Sequence, residues 1–187
     1  MVGHLDAELW RRLDAACTGV HTLSPRETFS RAGEPLAQSA LLLDGIMARY
    51  VAEPGAGQNR LMVSLQVSGD FVDLHAFTLK RLDHDVVSMG AVRVGYVTHD
   101  ALTRVLETEP NLSKMLWYST LLDAAMHREW IMKMEHLSAH GRLAHLMAEL
   151  WQRLTFVDLA GESGFALPLA QQELADSCGT TSIHMNR

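Results

Sequence analysis

The pattern of apolar and polar positions changes character twice along the chain. Leucines at 5, 9 and 13, with Arg11, Arg12 and Asp14 between them, repeat every four residues and predict a short amphipathic helix over 4–17. From 22 to 97, short β-prone runs alternate with turn signals. The runs at 40–43, 46–51, 61–67, 86–89 and 92–97 are punctuated by Asp44–Gly45, by the Pro-Gly-Ala-Gly stretch at 54–57 and by Ser68–Gly69–Asp70. Asp44–Gly45 is a strong two-residue turn pair and predicts a hairpin between the first two runs. Many short strands at this spacing predict a β-sandwich or β-roll.

After residue 97 the texture turns helical. A short helix is expected over 99–106, and Pro110 suits the first turn of the next. No Gly or Pro interrupts from there to Leu137. Met115, Leu122, Met126, Trp130, Met134 and Leu137 form an apolar stripe along this segment, which at 1.5 Å per residue is roughly 40 Å long. The stripe packs either inside the monomer or, the preferred reading, as a coiled-coil-like dimer seam. Ser138 is the expected N-cap of another helix, with Leu143, Leu146, Met147, Leu150, Trp151 and Leu154 on its apolar face. Residues 155–164 read as a polar linker and 165–169 as a short extended segment.

The C-terminal stretch carries the most specific pattern. Gln171 to Asp176 has helix-forming character, Ala175 lies four residues before Gly179, and a second helix starts near Thr180 or Thr181 with apolar Ile183 and Met185. A small residue in one helix, a glycine in the turn and an apolar residue beyond it are the signature of a helix-turn-helix, in which two short helices cross closely. The second helix would present Thr181, Ser182, His184 and Arg187. It runs off the end of the sequence at Arg187, so a natural continuation is expected.

Composition narrows the field. Hydrophobic residues make up 48% of the 187 and no apolar run approaches a membrane span, so a soluble, cytoplasmic protein without membrane contact is expected. The N-terminus lacks a signal-peptide core. The two cysteines, Cys17 and Cys178, have no metal-ligand spacing and are too few for an iron–sulfur cluster. A net charge of −6 argues mildly against nucleic-acid binding, although a local basic face matters more than the total.

The order β-roll, long helix, shorter helix, helix-turn-helix resembles the Crp/Fnr superfamily of bacterial transcription factors. Gly69–Asp70–Phe71 matches that family's turn into the effector pocket, and 169–187 matches its DNA-binding helices. The runs His127–Arg128–Glu129–Trp130 and 70–75 are similar to a subgroup found in α-proteobacteria. The resemblance implies an α+β chain in three parts. Residues 1–109 would be a cyclic-nucleotide-binding-like jelly-roll sensor, 110–137 a dimerisation helix with Met115, Leu122, Met126, Trp130 and Met134 at the interface, and 138–187 an incomplete winged helix-turn-helix. It also implies a homodimer on a palindromic duplex DNA site, with RNA polymerase as a further partner. Gln171, Thr181, Ser182, His184 and Arg187 are the candidate DNA contacts. Arg187 is the best placed to read guanine bidentately, while Gln171 and Thr181 would position the backbone. The family often has Thr or Ser where this chain has Ala170, so a cap is lost at a cost of ~1 kcal/mol.

The candidate effector pocket comprises Gly69, Asp70, Phe71, Asp73, Leu74 and His84. Members that bind cyclic AMP carry Gly-Glu shortly after Gly-Asp-Phe and Arg-Ser about ten residues later; the corresponding positions here are Asp73–Leu74 and His84–Asp85. Leucine accepts no hydrogen bond from a ribose, and Asp85 repels a phosphate that an arginine fork would hold. Cyclic AMP is therefore rejected and the small-molecule effector stays open; Arg81 is the nearest guanidinium in sequence. The histidines at 75, 84, 99, 127, 136, 140 and 145 invite a metal or haem reading, with His75 or His127 as an axial ligand. Without cysteine or acidic partners at ligand spacing, solvated or core histidines are preferred, and no cofactor is expected. No phosphate loop, nucleophile elbow or zinc-protease motif is present, and the Asp70/Asp73 pair is better read as turn chemistry than catalysis. An enzyme is not expected. The rival to a DNA-binding regulator is a small-molecule sensor acting through a protein partner, with a degenerate DNA-binding end.

Overall fold

The computed structural model describes residues 11, 13, 15–52 and 60–185. Most of the predicted helix over 4–17, the loop at 54–57 and Arg187 lie outside these residues. The N-terminal half is built from antiparallel strands β1 (Gly19–Leu23), β2 (Thr28–Ser30), β3 (Gln38–Asp44), β4 (Ile46–Ala52), β5 (Arg60–Val67), β6 (Asp85–Ser88) and β7 (Val92–Thr98), with a short helix α1 (His75–Leu79) after β5. One sheet has the order β1-β7-β3 and the other β2-β6-β4-β5. Leu42, Met47, Val86 and Val94 pack between them.

The expected hairpin at Asp44–Gly45 does not form. β3 pairs with β7, whereas β4 pairs with β5 and β6. The chain instead turns a corner and changes sheet, which lets both runs contribute to one inter-sheet core. Gly45 makes the corner at φ +96°. A Cβ there would meet the Ala91 carbonyl oxygen at 2.8 Å and Val92 Cγ2 at 2.9 Å. The glycine is required both for its left-handed backbone and for close approach.

The helical half matches the sequence periodicity. α2 (His99–Thr108) is capped by Thr98, whose hydroxyl accepts from the Ala101 amide. α3 (Pro110–His136) begins with proline in its first turn. α4 (Ala139–Thr155) is capped by Ser138, which accepts from the Gly141 amide. The expected linker at 155–164 is partly ordered: β8 (Ala160–Gly161) and β9 (Gly164–Phe165) form a small hairpin, and Ala160 and Phe165 pack onto the core. Last come α5 (Gln171–Ser177) and α6 (Ser182–Met185). Ile46, Ala48 and Tyr50 on the outer face of β4 join Leu146, Leu150 and Leu154 of α4 and Trp130 of α3 in a second core. β4 is thereby covered on both faces, which fixes the helical half against the roll.

The corner at Gly45 yields a stability test. Gly45→Ala meets both strain and clash and should cost about 2–4 kcal/mol, whereas Gly33→Ala, with nothing within 4 Å of its added Cβ, should cost only about 1 kcal/mol of backbone strain. Urea unfolding of the two variants checks the contrast; equal losses would show that Gly45 is not under close-packing constraint.

Candidate functional site

The period of two along β4 puts Arg49 on the same face as Met47, turned into the roll. Only 2% of Arg49 is exposed. Its Nε and Nη2 donate to the Val72 carbonyl oxygen at 3.2 and 3.0 Å, and Nη1 donates to Asp123 Oδ2 of α3 at 2.7 Å. His75 Nε2 lies 3.3 Å from the same oxygen, and His127 Nδ1 lies 2.9 Å from the Asp123 backbone carbonyl oxygen. Burial by itself would raise the Asp123 pKa. The His75 hydrogen bond and the Arg49 charge outweigh it and hold the carboxyl well below the usual carboxylate range. A buried cation of the β-roll is thus matched by an anion of the long helix.

Beside this pair lies a cavity of about 20 Å³, bordered by Arg49, Gln66, Asp70, Phe71, Leu74, His75, Ser119, Thr120, Asp123 and Met126. Three of the six expected pocket residues, Asp70, Phe71 and Leu74, border it; Gly69, Asp73 and His84 do not. Gly69 makes its turn at φ +92°. The Asp70 carboxylate accepts from the Val67 amide at 2.9 Å and pairs with Arg153 of α4. Arg153 also donates to the Leu65 carbonyl oxygen and to Glu149, whose other oxygen accepts from the Trp130 indole at 2.7 Å. The turn after β5 is tied in this way to α4, which leads into the C-terminal elements.

Asp73 is fully enclosed and accepts from the Ala40 amide at 2.7 Å. Burial raises its pKa from 3.8 to about 7, against the opposing pull of the Ala40 amide and the Arg49 charge. His84 is also buried; its Nδ1 meets Asp83 at 2.7 Å, and its Nε2 has no hydrogen-bond partner. Burial, aided by the Arg49 charge, lowers the His84 pKa. Arg81, the guanidinium suggested by sequence, instead donates to the Gly33 carbonyl oxygen on the surface. Arg49 and Asp123 were not picked out by the sequence reading. The available signal was Arg49, a lone cation inside the apolar strand run 46–51; Asp123 shares its helix with Glu129 and Glu135, each also one residue from the apolar stripe, and nothing in sequence singles it out. The haem candidates His75 and His127 both face Asp123, and among the described residues no group of three or more His, Cys, Asp or Glu is arranged to hold a metal ion.

At the C-terminus, α5 and α6 flank a turn at Gly179, φ +58°. Ala170 supplies no side-chain cap, but Glu173 compensates in part: its carboxylate accepts from the Ala170 amide at 2.6 Å and pairs with Arg26 of the roll at 2.9 Å. Arg142 fixes the pair of helices to the end of α3. Its Nε and Nη2 donate to the carbonyl oxygens of Leu137 and Met134, and its Nη1 to that of Cys178 in the turn. Gln171 and Thr181 are exposed and Ser182 is half-buried at the start of α6. The side chain of His184 lies outside the described residues, as does Arg187.

On α3, Met115, Leu122, Met126 and Met134 are half-buried. Trp130 is turned inward, 5% exposed, in the core formed with α4, where its ring also lies 3.4 Å from Lys133 Nζ. It is therefore packed within its own chain. The outward apolar positions fall elsewhere: Trp117 is 68% and Ile131 69% exposed, with Tyr118, Leu121 and Met132 also open.

No family model matches the sequence, and no curated protein matches it. Solved structures do share its fold. FixK2 from Bradyrhizobium japonicum superposes with a TM-score of 0.79 at 17% identity, over 90% of this chain and 81% of that one. CLP from Xanthomonas campestris, described as a c-di-GMP responsive global regulator, gives 0.73 at 15% identity over 97% and 89%. A variant of CooA from Carboxydothermus hydrogenoformans gives 0.64 at 18% identity over 90% and 72%.

The enclosure of Asp73 has a pH consequence. With its folded pKa raised from 3.8 to about 7, the folded chain keeps a proton that the unfolded chain has released, so this group's contribution is complete below pH 3.8 and is lost as pH rises to about 7. Asp73→Asn, which retains an acceptor for the Ala40 amide, should remove that slope. The stability of wild type relative to this variant should fall between these pH values and then level off, as read by urea unfolding across pH. A difference independent of pH would contradict the assignment.

Proposed function

We propose that this chain, which has the fold of the Crp/Fnr family regulators, is itself a DNA-binding transcription regulator and not an enzyme. The observation that carries the reading is the helix–turn–helix at the end of the chain. α5 and α6 are joined through left-handed Gly179 and anchored by Arg142 to the end of the long helix. Gln171, Thr181 and Ser182 stand at the starts of these helices, with His184 and Arg187 following, and they are the proposed DNA contacts. The regulator neighbours support this assignment through fold.

The active species is a homodimer paired along α3, in a register that differs from the one the sequence suggested. Trp117, Leu121, Ala124, Arg128 and Ile131 are all exposed and alternate at four and three residues, the 3.5-residue repeat of a two-helix seam. A face with this much exposed apolar surface is unusual for a monomer. Two copies related by a two-fold axis would present their helix-turn-helices to half-sites about one helical turn apart. The protein would work in the cytoplasm, with RNA polymerase as a further partner.

Binding selection on randomised duplex DNA with the natural full-length protein tests the proposal. The expected product is a two-fold-symmetric motif with half-site centres about 10 base pairs apart. Leu121→Asp with Ile131→Asp should sediment as a monomer and lose the symmetric motif. Absence of any enriched motif in a wild-type dimer would instead favour a sensor that acts through a protein partner, and a dimer unchanged by the paired substitution would rule out this seam.

A further inference from the structure

We propose that Asp123 is a built-in ligand: the roll's buried anion-binding site, centred on Arg49, is occupied by a carboxylate of the chain's own long helix, which couples roll to helix without a diffusible effector. The proposal rests on the reading of the roll as the sensory half of a regulator. Arg49 is the interior guanidinium at the junction of β4 and α3, and its described hydrogen bonds all go to Val72 and Asp123. The ion pair spans 74 residues of sequence and joins two separate parts of the fold. What remains beside it is about 20 Å³, room for about one water but far below the roughly 300 Å³ at which small-molecule pockets begin. Gln66 and His75 border this space, and Gln66 Oε1 and His75 Nδ1 are buried without a hydrogen-bond partner, polar groups that such a water could serve. A phosphate or carboxylate could reach Arg49 only by displacing Asp123, and would then leave that partly buried acid with only the imidazoles of His75 and His127 beside it.

Removing the side chain should convert the internal ligand into an external one. Asp123→Gly leaves Arg49 uncompensated beside a space shaped for a carboxylate. Amide exchange along residues 117–127 should accelerate and the melting temperature should fall by about 10 °C. Acetate or formate at tens of millimolar should restore both, and chloride at equal ionic strength should not. Wild type should show no saturable change with acetate, inorganic phosphate or cyclic AMP. Asp123→Asn, which keeps the volume but removes the charge, should be destabilised and unresponsive to acetate; this variant tests the same point should the glycine variant fail to fold. Equal effects of acetate and chloride on Asp123→Gly, rescue of Asp123→Asn by acetate, or a saturable response of wild type to any of these anions would overturn the proposal. The readouts use no DNA, so failure of the DNA selection leaves them intact, and failure of rescue leaves DNA recognition untouched.

Discussion

The charge on Arg49 is the constraint around which the molecule is organised. A guanidinium on the inward face of a central strand is costly to desolvate unless its donors are satisfied and its charge is matched. Val72 supplies a carbonyl oxygen from within the roll, but the counter-charge comes from α3. The long helix must therefore lie across the roll in one register. A shift by a single residue would turn Asp123 away and leave a buried cation alone. His75 and His127 add polar contacts to the same carboxylate or its backbone, so α1, β4 and α3 meet at one point.

From that junction the arrangement extends toward the C-terminus through further polar contacts made at element ends. Asp70, in the turn after β5, pairs with Arg153 near the end of α4. Arg142, near the start of α4, holds the last carbonyl groups of α3 together with that of Cys178. Glu173 of α5 returns to Arg26 of the roll. The contacts of Asp70 with Arg153, Arg142 with Cys178 and Glu173 with Arg26 join segments distant in sequence, and around them the apolar side chains of β4 and α4 close a shared core. Hydrophobic burial supplies the attraction, while the directional ion pairs select one orientation among the packings that the apolar faces allow. The turn after β5, α4 and the α5–α6 pair are thereby joined by ion pairs and hydrogen bonds into one frame.

Much of this was legible in the sequence where local chemistry decides the outcome. Pro110 and Ser138 mark the starts of the long helix and its successor, and the strand runs sit within a residue or two of their predicted limits. The Asp44–Gly45 turn was misread because a turn pair reports only that the chain reverses, not which sheet it enters; the close approach of Ala91 and Val92 decides that. The apolar stripe of α3 gave the helix but not its outward face. Trp130 joins its own chain's core because α4 folds back across it, a tertiary fact absent from the periodicity. The Gly-Asp-Phe turn marks the segment whose Asp70 reaches α4, but it does not point to Arg49 and Asp123: Arg49 sits in an otherwise apolar strand run, and Asp123 is one of six charged residues along α3. A lone charge at an inward position was the available signal, and it became interpretable only once its partner was brought near.

The most direct measurement is a double-mutant cycle on that pair, using Arg49→Met, Asp123→Leu and the two together, with unfolding free energies from urea titration. Asp123→Leu strands the buried guanidinium and is expected to cost about 3–5 kcal/mol; Arg49→Met strands the partly buried carboxylate and should cost somewhat less. The double variant should lose far less than the sum, giving a coupling of at least about 2 kcal/mol. Losses that add within about 0.5 kcal/mol would mean that the two residues do not stabilise one another, and that the long helix is held to the roll by something else.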